Sequence, residues 1–241
     1  MRSEASTRKT AHQYNRRARH FELERLPPRL INHLPGGPLA LADVGCGDGP
    51  LFGALERAGY ISPAKPVYAV DLEAERLVRV AERFPYIATI VARADNMAPI
   101  PDASLDFVTA MMVMEHVPHE GAFLDEARRI LRKGGRIYLT TVFKKPWAWY
   151  FRRRDGETVL DVSHLREYTD VRAFHSLLGV GQRFSRMLEL ALEPLWFPIV
   201  DPILFLVASR GGGSGIGRLA TLRKLKVPIP GYSTLIAVLE A

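Results

Sequence analysis

Short apolar runs alternate with amphipathic segments through residues 39–142 of the chain. Apolar runs of four to seven residues predict buried strands, and apolar residues recurring every three or four positions predict helices. Strands are expected at 39–44, 67–70, 89–92, 107–112 and 136–142, and helices at 51–58, 73–83 and 122–131. Because short polar turns join strand to helix in regular alternation, the crossovers should be right-handed and the sheet mostly parallel. The predicted fold class is therefore α/β, with a doubly wound sheet.

The two ends of the chain depart from this alternation. Residues 14–34 carry apolar positions at helical spacing, interrupted by Pro27-Pro28, which predicts one or two short helices. Beyond residue 142 we expect a helix at 171–178, a possible strand at 184–190 and a final strand at 233–239. The glycine-rich stretch 211–217 resembles a second nucleotide loop but fits no phosphate motif, which favours a flexible connector.

Composition narrows the class of protein without choosing a partner. The 241 residues are 47% hydrophobic, enough for the core of one mid-sized domain. The net charge of +7 and the pI near 9.7 suit nucleic acid, anionic membrane or acidic small molecules. The single cysteine excludes an intramolecular disulfide and suits a reducing, cytoplasmic setting. We expect no secretory signal, because the basic N-terminal segment lacks a following apolar region, and no ordinary spanning helix.

A glycine loop follows the first predicted strand. Asp43 precedes three glycines spaced two apart, Gly45, Gly47 and Gly49, and a helix comes next. Glycines let backbone amides approach a ligand closely, and the loop lies at the carboxyl edge of the sheet, where open α/β sheets bind ligands. The third glycine comes one residue too early for a G-x-G-x-x-G dinucleotide loop. Since the Asp43 carboxylate is poorly suited to a pyrophosphate, the loop favours a nucleoside that carries positive charge.

Acidic residues also follow the next two predicted strands. Asp71 ends the second strand, where a carboxylate can accept hydrogen bonds from both ribose hydroxyls. Asp95 and Asn96 follow the third strand and are suited to the edge of adenine, with Met97 packed on the ring. Three acids at successive strand ends suit a nucleoside with a sulfonium group.

These motifs, together with residues 106–108, 114–116 and the turn at 133–136, resemble those of the class I S-adenosylmethionine-dependent methyltransferases, small-molecule branch. The resemblance covers about residues 10–180 and the closing strand. It implies a Rossmann-like, seven-stranded sheet with a C-terminal cap insertion, and S-adenosyl-L-methionine as methyl donor, with S-adenosyl-L-homocysteine as product. By position, it implies cofactor contacts at Asp43, Gly45 and Gly47 (methionine part), Asp71 (ribose), Asp95 and Asn96 (adenine) and Met111 (sulfonium pocket), with Tyr14 as a lid residue. Cys46, Leu72 and Met97 are expected to contact the cofactor as their neighbours do. Asp48 departs from the pattern, because many members carry threonine or serine there.

The resemblance also implies a division of one methyltransferase domain, residues 1–241, into four parts. Residues 1–38 would form a helical lid and 39–143 the cofactor-binding core. Residues 144–232 would supply acceptor-side and cap segments, and 233–241 the closing strand.

The predicted catalytic residue is His116. Methyl transfer from a sulfonium needs a general base only when the acceptor must lose a proton, and His116 lies just beyond the fourth strand, beside Glu115. The alternative is that His116 only caps a turn. His164 lies in a segment that resembles the acceptor-pocket wall of small-molecule members, and helix-start chemistry is the alternative there. We expect no metal site, because the histidines lack paired spacing.

The acceptor is predicted to be a hydrophobic small molecule: a lipid, a quinone or a polyketide-like compound, methylated on oxygen or ring carbon. The apolar run 111–114 has no acceptor for an exocyclic base amine, which makes nucleic acid less favoured. Residues 144–154 combine five basic residues with four aromatic ones, including Trp147 and Trp149. This combination suits contact with an anionic bilayer, or stacked bases, or a solvated rim. An RNA methyltransferase and a non-catalytic S-adenosylmethionine-binding module remain alternatives, while the glycine spacing sets aside an NAD-dependent dehydrogenase.

Overall fold

The computed structural model describes residues 23–198 and 226–241 of the chain. Seven strands of these ranges form one sheet: β1 (Leu41–Val44), β2 (Val67–Asp71), β3 (Ala88–Val91), β4 (Leu105–Met111), β5 (Leu131–Lys144), β8 (Arg186–Pro198) and β9 (Lys226–Glu240). Two short strands, β6 (Arg153–Arg154) and β7 (Glu157–Thr158), make a separate hairpin. The sheet order is β3-β2-β1-β4-β5-β9-β8. Strands β1 to β5 run parallel and β9 is antiparallel to both of its neighbours, so the mostly parallel, seven-stranded α/β prediction is confirmed.

The helices of the described ranges are α1 (Pro28–His33), α2 (Phe52–Arg57), α3 (Ala74–Arg83), α4 (Glu120–Ile130) and α5 (Val171–Leu178), with a 3₁₀ turn at Met114–His116. Pro28 begins α1 instead of interrupting a helix, because proline is tolerated in the first turn, where its missing N–H has no partner. Helix α5 has the predicted bounds. Asp170 caps its N-terminus by accepting from the Arg172 N–H at 2.7 Å, and Gly179, at φ +67°, ends it.

The core lies on both faces of the sheet, because successive strand residues point to opposite sides. Leu41 of β1 faces one side, where the buried residues of α1, α2 and α3 pack. Ala42 and Val44 face the other side, where α4 and α5 pack. Burial on two faces explains why the central strands are near-continuous apolar runs.

The register of the parallel strands brings the predicted site residues to one edge. Val44 of β1 pairs with Val70 of β2 and with Ala110 of β4. The residues that follow these three are Gly45, Asp71 and Met111. They therefore leave neighbouring strands at the same carboxyl edge.

The antiparallel edge differs from the sequence prediction. Strands β8 and β9 extend well beyond the predicted 184–190 and 233–239, and their pairing shifts register twice. Polar residues of β8 are used in tertiary contacts: Glu189 and Glu193 both accept from the Arg29 guanidinium of α1, and Glu189 also contacts His33 at 2.7 Å. These polar residues interrupt the apolar pattern from which the length of β8 was predicted, and in the structure they connect β8 to α1.

Parts of the predicted organisation lie outside the described residues. These are most of the N-terminal lid, including Tyr14, and residues 199–225, including the glycine-rich stretch 211–217. Within the described ranges, the helices are too short or too polar to cross a lipid bilayer.

Candidate functional site

A cavity of about 750 Å³ lies at the carboxyl edge of the sheet, where the loops after β1, β2, β3 and β4 meet. Most of the predicted site residues line it: Asp43, Gly45, Cys46, Gly47, Asp71, Leu72, Asp95, Met111 and His116. Asn96 and Met97 do not line it. The parallel topology therefore brings most of the sequence-predicted site together around one space.

The loop after β1 requires glycine. Gly45, Gly47 and Gly49 all have φ between +56° and +71°, a region that L-residues with side chains rarely adopt. A Cβ at Gly45 would lie 2.5 Å from Cγ2 of Val113. The Gly45 N–H donates to the Val70 carbonyl at 2.8 Å, which ties the loop to the end of β2. The glycines thus let a ligand approach the backbone of the loop closely, and an added side chain would occupy that space.

Asp71 is held rigidly at the tip of β2. Its Oδ2 accepts from the Gly47 N–H at 2.8 Å and its Oδ1 accepts from the Glu73 N–H at 2.9 Å. Each carboxylate oxygen has two lone pairs, so both can still accept a hydrogen bond from a ligand hydroxyl. The carboxylate is therefore oriented before any ligand arrives.

Asp43 is buried beneath the cavity, with 4% of its surface exposed. Its Oδ1 accepts from the Thr109 hydroxyl at 2.6 Å. Burial raises the pKa of Asp43 to about 7, and the negative charge of Asp71 acts in the same direction, while the Thr109 hydrogen bond opposes it. A cationic ligand group nearby would favour the ionised form. Burial also raises the pKa of the neighbouring Cys46 thiol well above its usual value, which makes it a poor nucleophile.

The loop after β3 places its three predicted residues differently from one another. Asp95 lines the cavity and accepts from Nε and Nη2 of Arg93 at 2.8 and 2.6 Å, which lowers the pKa of Asp95. Asn96 is exposed outside the cavity lining. Met97 is fully buried in the hydrophobic core, and its N–H donates to Glu126 at 2.7 Å. The structure does not bring Met97 to the position expected for packing on a ligand ring.

Asp48, the residue that departs from the family pattern, is paired within the protein. Nε of Arg79, on α3, donates to Oδ1 of Asp48 at 2.9 Å. The Asp48 side chain is 7% exposed and does not line the cavity. Its negative charge is therefore neutralised by α3 instead of being presented to a ligand.

The chain leaves β4 through a strained turn. Met112 has φ +57°, which is uncommon for a residue with a side chain. Its N–H donates to the Thr140 carbonyl at 2.9 Å. The turn directs the chain into the 3₁₀ segment Met114–His116, so that Met112 and His116 both line the cavity. Strained backbone of this kind clusters at functional sites, where the surrounding structure holds it.

Three titratable side chains meet at this end of the cavity. The His116 and His164 rings lie 4.8 Å apart, centroid to centroid, at an interplanar angle of 73°. More than a third of the His116 residue surface is exposed, yet desolvation of its ring by the surrounding atoms, together with the nearby His164, lowers the pKa of His116 to about 4. Glu115 is fully buried, and its Oε2 accepts from the Thr141 hydroxyl at 2.7 Å. His116 is therefore neutral at physiological pH, able to accept a proton but weakly basic.

The segment 163–168 packs beside His116, and its first residue, Ser163, lines the cavity. The Leu165 N–H donates to the Glu115 carbonyl at 2.8 Å. The Arg166 guanidinium donates to the carbonyls of Met114 and Pro118 at 3.3 and 3.2 Å. Sequence reasoning singled out this segment by resemblance, but it gave no sign of these hydrogen bonds to the β4 exit.

Residues 42–139 match the family model described as a methyltransferase domain. Within this range the chain is similar to class I methyltransferases. The matched range contains every cofactor-contact residue predicted within the described part of the chain, and it ends before His164. The resemblance to class I methyltransferases that the sequence motifs indicated is confirmed.

Solved structures show the same fold as this methyltransferase domain and its flanking elements. A putative methyltransferase from Bacillus halodurans is 20% identical, with a TM-score of 0.60 over 88% of this chain and 96% of that one. A geranyl diphosphate methyltransferase, solved in complex with GPP and sinefungin, is 16% identical, with a TM-score of 0.57 over 98% of this chain and 99% of that one. At these identities the comparison establishes the fold alone.

A curated relative is more similar in sequence but over a shorter range. A ubiquinone biosynthesis O-methyltransferase of Xanthomonas oryzae pv. oryzae is 34% identical over 112 residues, which is 44% of this chain and 44% of that protein. The chain thus matches less than half the length of this relative.

Proposed function

We propose that this chain binds S-adenosylmethionine in the cavity and transfers its methyl group to an apolar small molecule. The observation that carries the proposal is the pre-oriented Asp71 carboxylate at the tip of β2, beside the buried Asp43 at the tip of β1. Two acids above glycines with positive φ fit a ligand that combines a ribose with cationic groups.

The residues divide the cofactor between them. Asp71 would accept hydrogen bonds from the ribose hydroxyls, and the glycine loop would approach the methionine part without steric conflict. Asp43 would complement its positive charge. On the adenine side the cavity offers Leu72, which is 67% exposed, and Asp95 with its partner Arg93. In this arrangement Met97 supports the wall from the core and makes no ligand contact.

Bound S-adenosylmethionine supplies an activated methyl group, so the protein mainly has to align the acceptor and exclude water. Alignment of this kind can supply about 7–11 kcal/mol of the barrier. His116 lines the cavity beyond β4 and is neutral at physiological pH, so it can accept a proton from an acceptor hydroxyl. Because its pKa is near 4, it suits an acceptor whose proton is already acidic, such as a phenol.

An apolar acceptor is supported by the walls near the β4 exit. Met111, Met112, Val113 and Val117 line the cavity there, together with Leu23. The relatives are named for ubiquinone biosynthesis, and a fold neighbour for methylation of geranyl diphosphate. A quinone-type or lipid acceptor, methylated on oxygen, agrees with this lining.

The first test is calorimetric titration of the full chain with S-adenosylmethionine, S-adenosylhomocysteine and NAD⁺. We expect both sulfur nucleosides to bind and NAD⁺ not to bind. Uptake of NAD⁺ alone would refute the proposal. The second test incubates the chain with methyl-labelled S-adenosylmethionine and with either lipid extract or RNA. Label in the organic phase supports the acceptor class, label in RNA contradicts it, and binding without transfer to either contradicts catalysis.

We further propose that the chain contacts anionic membrane through the aromatic residues near position 147. Trp147 and Trp149 are 64% and 59% exposed, and Nζ of Lys145 lies 5.3 Å from the Trp147 ring centroid. Other cations of this segment are used internally: Arg152 pairs with Asp161, Arg154 donates to the His164 carbonyl, and Lys144 donates to the Thr158 carbonyl. The patch thus offers more amphipathic aromatic surface than free charge, which suits a bilayer interface better than a phosphate backbone.

Vesicle co-sedimentation tests this contact. We expect binding to mixed phosphatidylcholine and phosphatidylglycerol vesicles, with a large loss in the W147A/W149A double variant. Trp196 is exposed to a similar degree on β8 and provides the matched control, W196A. Equal loss in both variants, or no vesicle binding by the wild type, would contradict the assignment.

A further inference from the structure

We propose that Glu115, His116 and His164 bind one divalent transition-metal ion at the acceptor end of the cavity. One carboxylate oxygen of Glu115 and one ring nitrogen of each histidine all lie within 4.8 Å of one another. Small side-chain movements would bring three such atoms to a common distance of about 2.0–2.2 Å from a central ion. The spacing of the histidines along the sequence predicted no metal site, because the fold brings the β4 exit together with a segment far along the chain.

The Glu115 carboxylate lacks a partner that a cation would supply. The residue is fully buried, Oε2 accepts from the Thr141 hydroxyl, and Oε1 has no hydrogen-bond partner among the described residues. A buried acceptor without a donor costs about 1–3 kcal/mol. A bound cation would compensate both the charge and the unpaired oxygen.

The His164 ring is already oriented as a ligand. Nδ1 of His164 contacts Oε1 of Glu167 at 3.1 Å, which leaves Nε2 available. Glu167 is itself held by the Leu160 N–H at 2.6 Å and the Tyr232 hydroxyl at 3.1 Å. The His116 ring lies beside the His164 ring, 4.8 Å away from centroid to centroid. A carboxylate behind the imidazole is the usual outer arrangement of a histidine that binds metal.

The donor set indicates the class of ion. Two imidazoles and one carboxylate bind zinc in catalytic sites that keep a coordination position open. Magnesium and calcium prefer sets made of oxygen atoms, so the expected ions are Zn²⁺ and its spectroscopic substitute Co²⁺. His116 and Ser163 line the cavity, so an open position would face the acceptor.

The role of the ion in the reaction rests on the proposed function, whereas its binding does not. An acceptor hydroxyl bound to the ion would lose its proton to solvent more readily. The resulting oxygen would form a bond to the methyl carbon while the carbon–sulfur bond breaks, with the electron pair remaining on sulfur. His116 would then act as a ligand and not as the general base.

The experiment is a titration of the chelator-treated full chain with Co²⁺, read by visible d–d absorption, and with Zn²⁺, read by calorimetry. We expect one ion per chain and a loss of affinity of at least about tenfold in E115Q and H164Q. His119 lies in the same loop but outside the cluster, so H119A is the matched control and should bind as the wild type does. E167Q changes only the residue that hydrogen-bonds His164, and it should weaken metal binding by about tenfold. This variant still tests the site if a variant of a ligand residue fails to fold.

The outcomes separate this inference from the proposed function. S-adenosylmethionine binding without Co²⁺ or Zn²⁺ binding overturns the metal site alone. Metal binding that H119A weakens as much as H164Q also overturns it, because the ion would then lie elsewhere. Metal binding with no affinity for S-adenosylmethionine supports the site and refutes the proposed function.

Discussion

Replacing Asp71 by asparagine should weaken cofactor binding strongly while leaving the shape of the site almost unchanged. The carboxylate now accepts from the Gly47 N–H with one oxygen and from the Glu73 N–H with the other. An amide has only one oxygen, so its NH₂ group must face one of these two N–H donors. Hydrogen bonds to charged groups contribute about 1.5–3 kcal/mol each, and loss of one corresponds to roughly a 10- to 150-fold rise in the dissociation constant.

Calorimetry with S-adenosylmethionine and S-adenosylhomocysteine provides the assay. Both ligands carry the same ribose, so D71N should weaken both by the same factor. Thermal unfolding of the ligand-free variant measures the separate effect on the glycine loop. The matched control is D48N, which removes the same charge from a nearby carboxylate that pairs with Arg79 and does not line the cavity. We expect its cofactor affinity to stay within about threefold of the wild type, less than 1 kcal/mol.

Two results would refute the reasoning. If D71N binds S-adenosylmethionine as tightly as the wild type, the ribose does not lie at the tip of β2. If D48N weakens binding as much as D71N does, cofactor affinity depends on the overall negative potential at this edge of the sheet and not on the orientation of the Asp71 carboxylate. A loss confined to S-adenosylmethionine would instead show that Asp71 responds to the sulfonium charge.

Two further predictions follow from the loop after β1. The pKa of Asp43 is about 7 in the folded protein, against an ordinary value of 3.8, so the folded state holds one more proton than the unfolded state between these pH values. The free energy of unfolding should therefore fall as pH rises through this window. Urea midpoints should show this slope in the wild type and not in D43N. In G45A the new methyl would lie 2.5 Å from Cγ2 of Val113, so we expect a loss of stability beyond the roughly 1–2 kcal/mol of the left-handed backbone alone. G59A, at φ +76° with no atom within 4 Å, measures that backbone cost by itself, and equal losses in the two variants would contradict the steric argument.

The central sheet and the position of the acids at its edge could both be predicted from the sequence. Strands buried on both faces must be continuous apolar runs, and a parallel topology brings their carboxyl ends together. Asp43, Asp71 and Asp95 could therefore be assigned to one site from their positions after successive strands. The observed sheet supports this logic, since its register places Gly45, Asp71 and Met111 at adjacent strand ends.

Other features depend on contacts that no local pattern encodes. Met97 is directed into the core because the chain bends back after β3, where Arg93 and Asn96 form an isolated bridge. The compensation of Asp48 depends on Arg79 from a separate helix. The cluster of Glu115, His116 and His164 requires the hydrogen bonds between the segment 163–168 and the β4 exit. Spacing along the chain cannot reveal any of these contacts.

Those same hydrogen bonds bear on how acceptor preference can change during evolution. The Glu115 carbonyl accepts from the backbone N–H groups of Leu165 and Arg166, and these bonds do not depend on which side chains the two residues carry. Met112 and Ser163 line the cavity beside this scaffold, and their side chains take no part in those bonds. Related enzymes could therefore diverge in substrate choice at these two positions while the surrounding architecture stays the same.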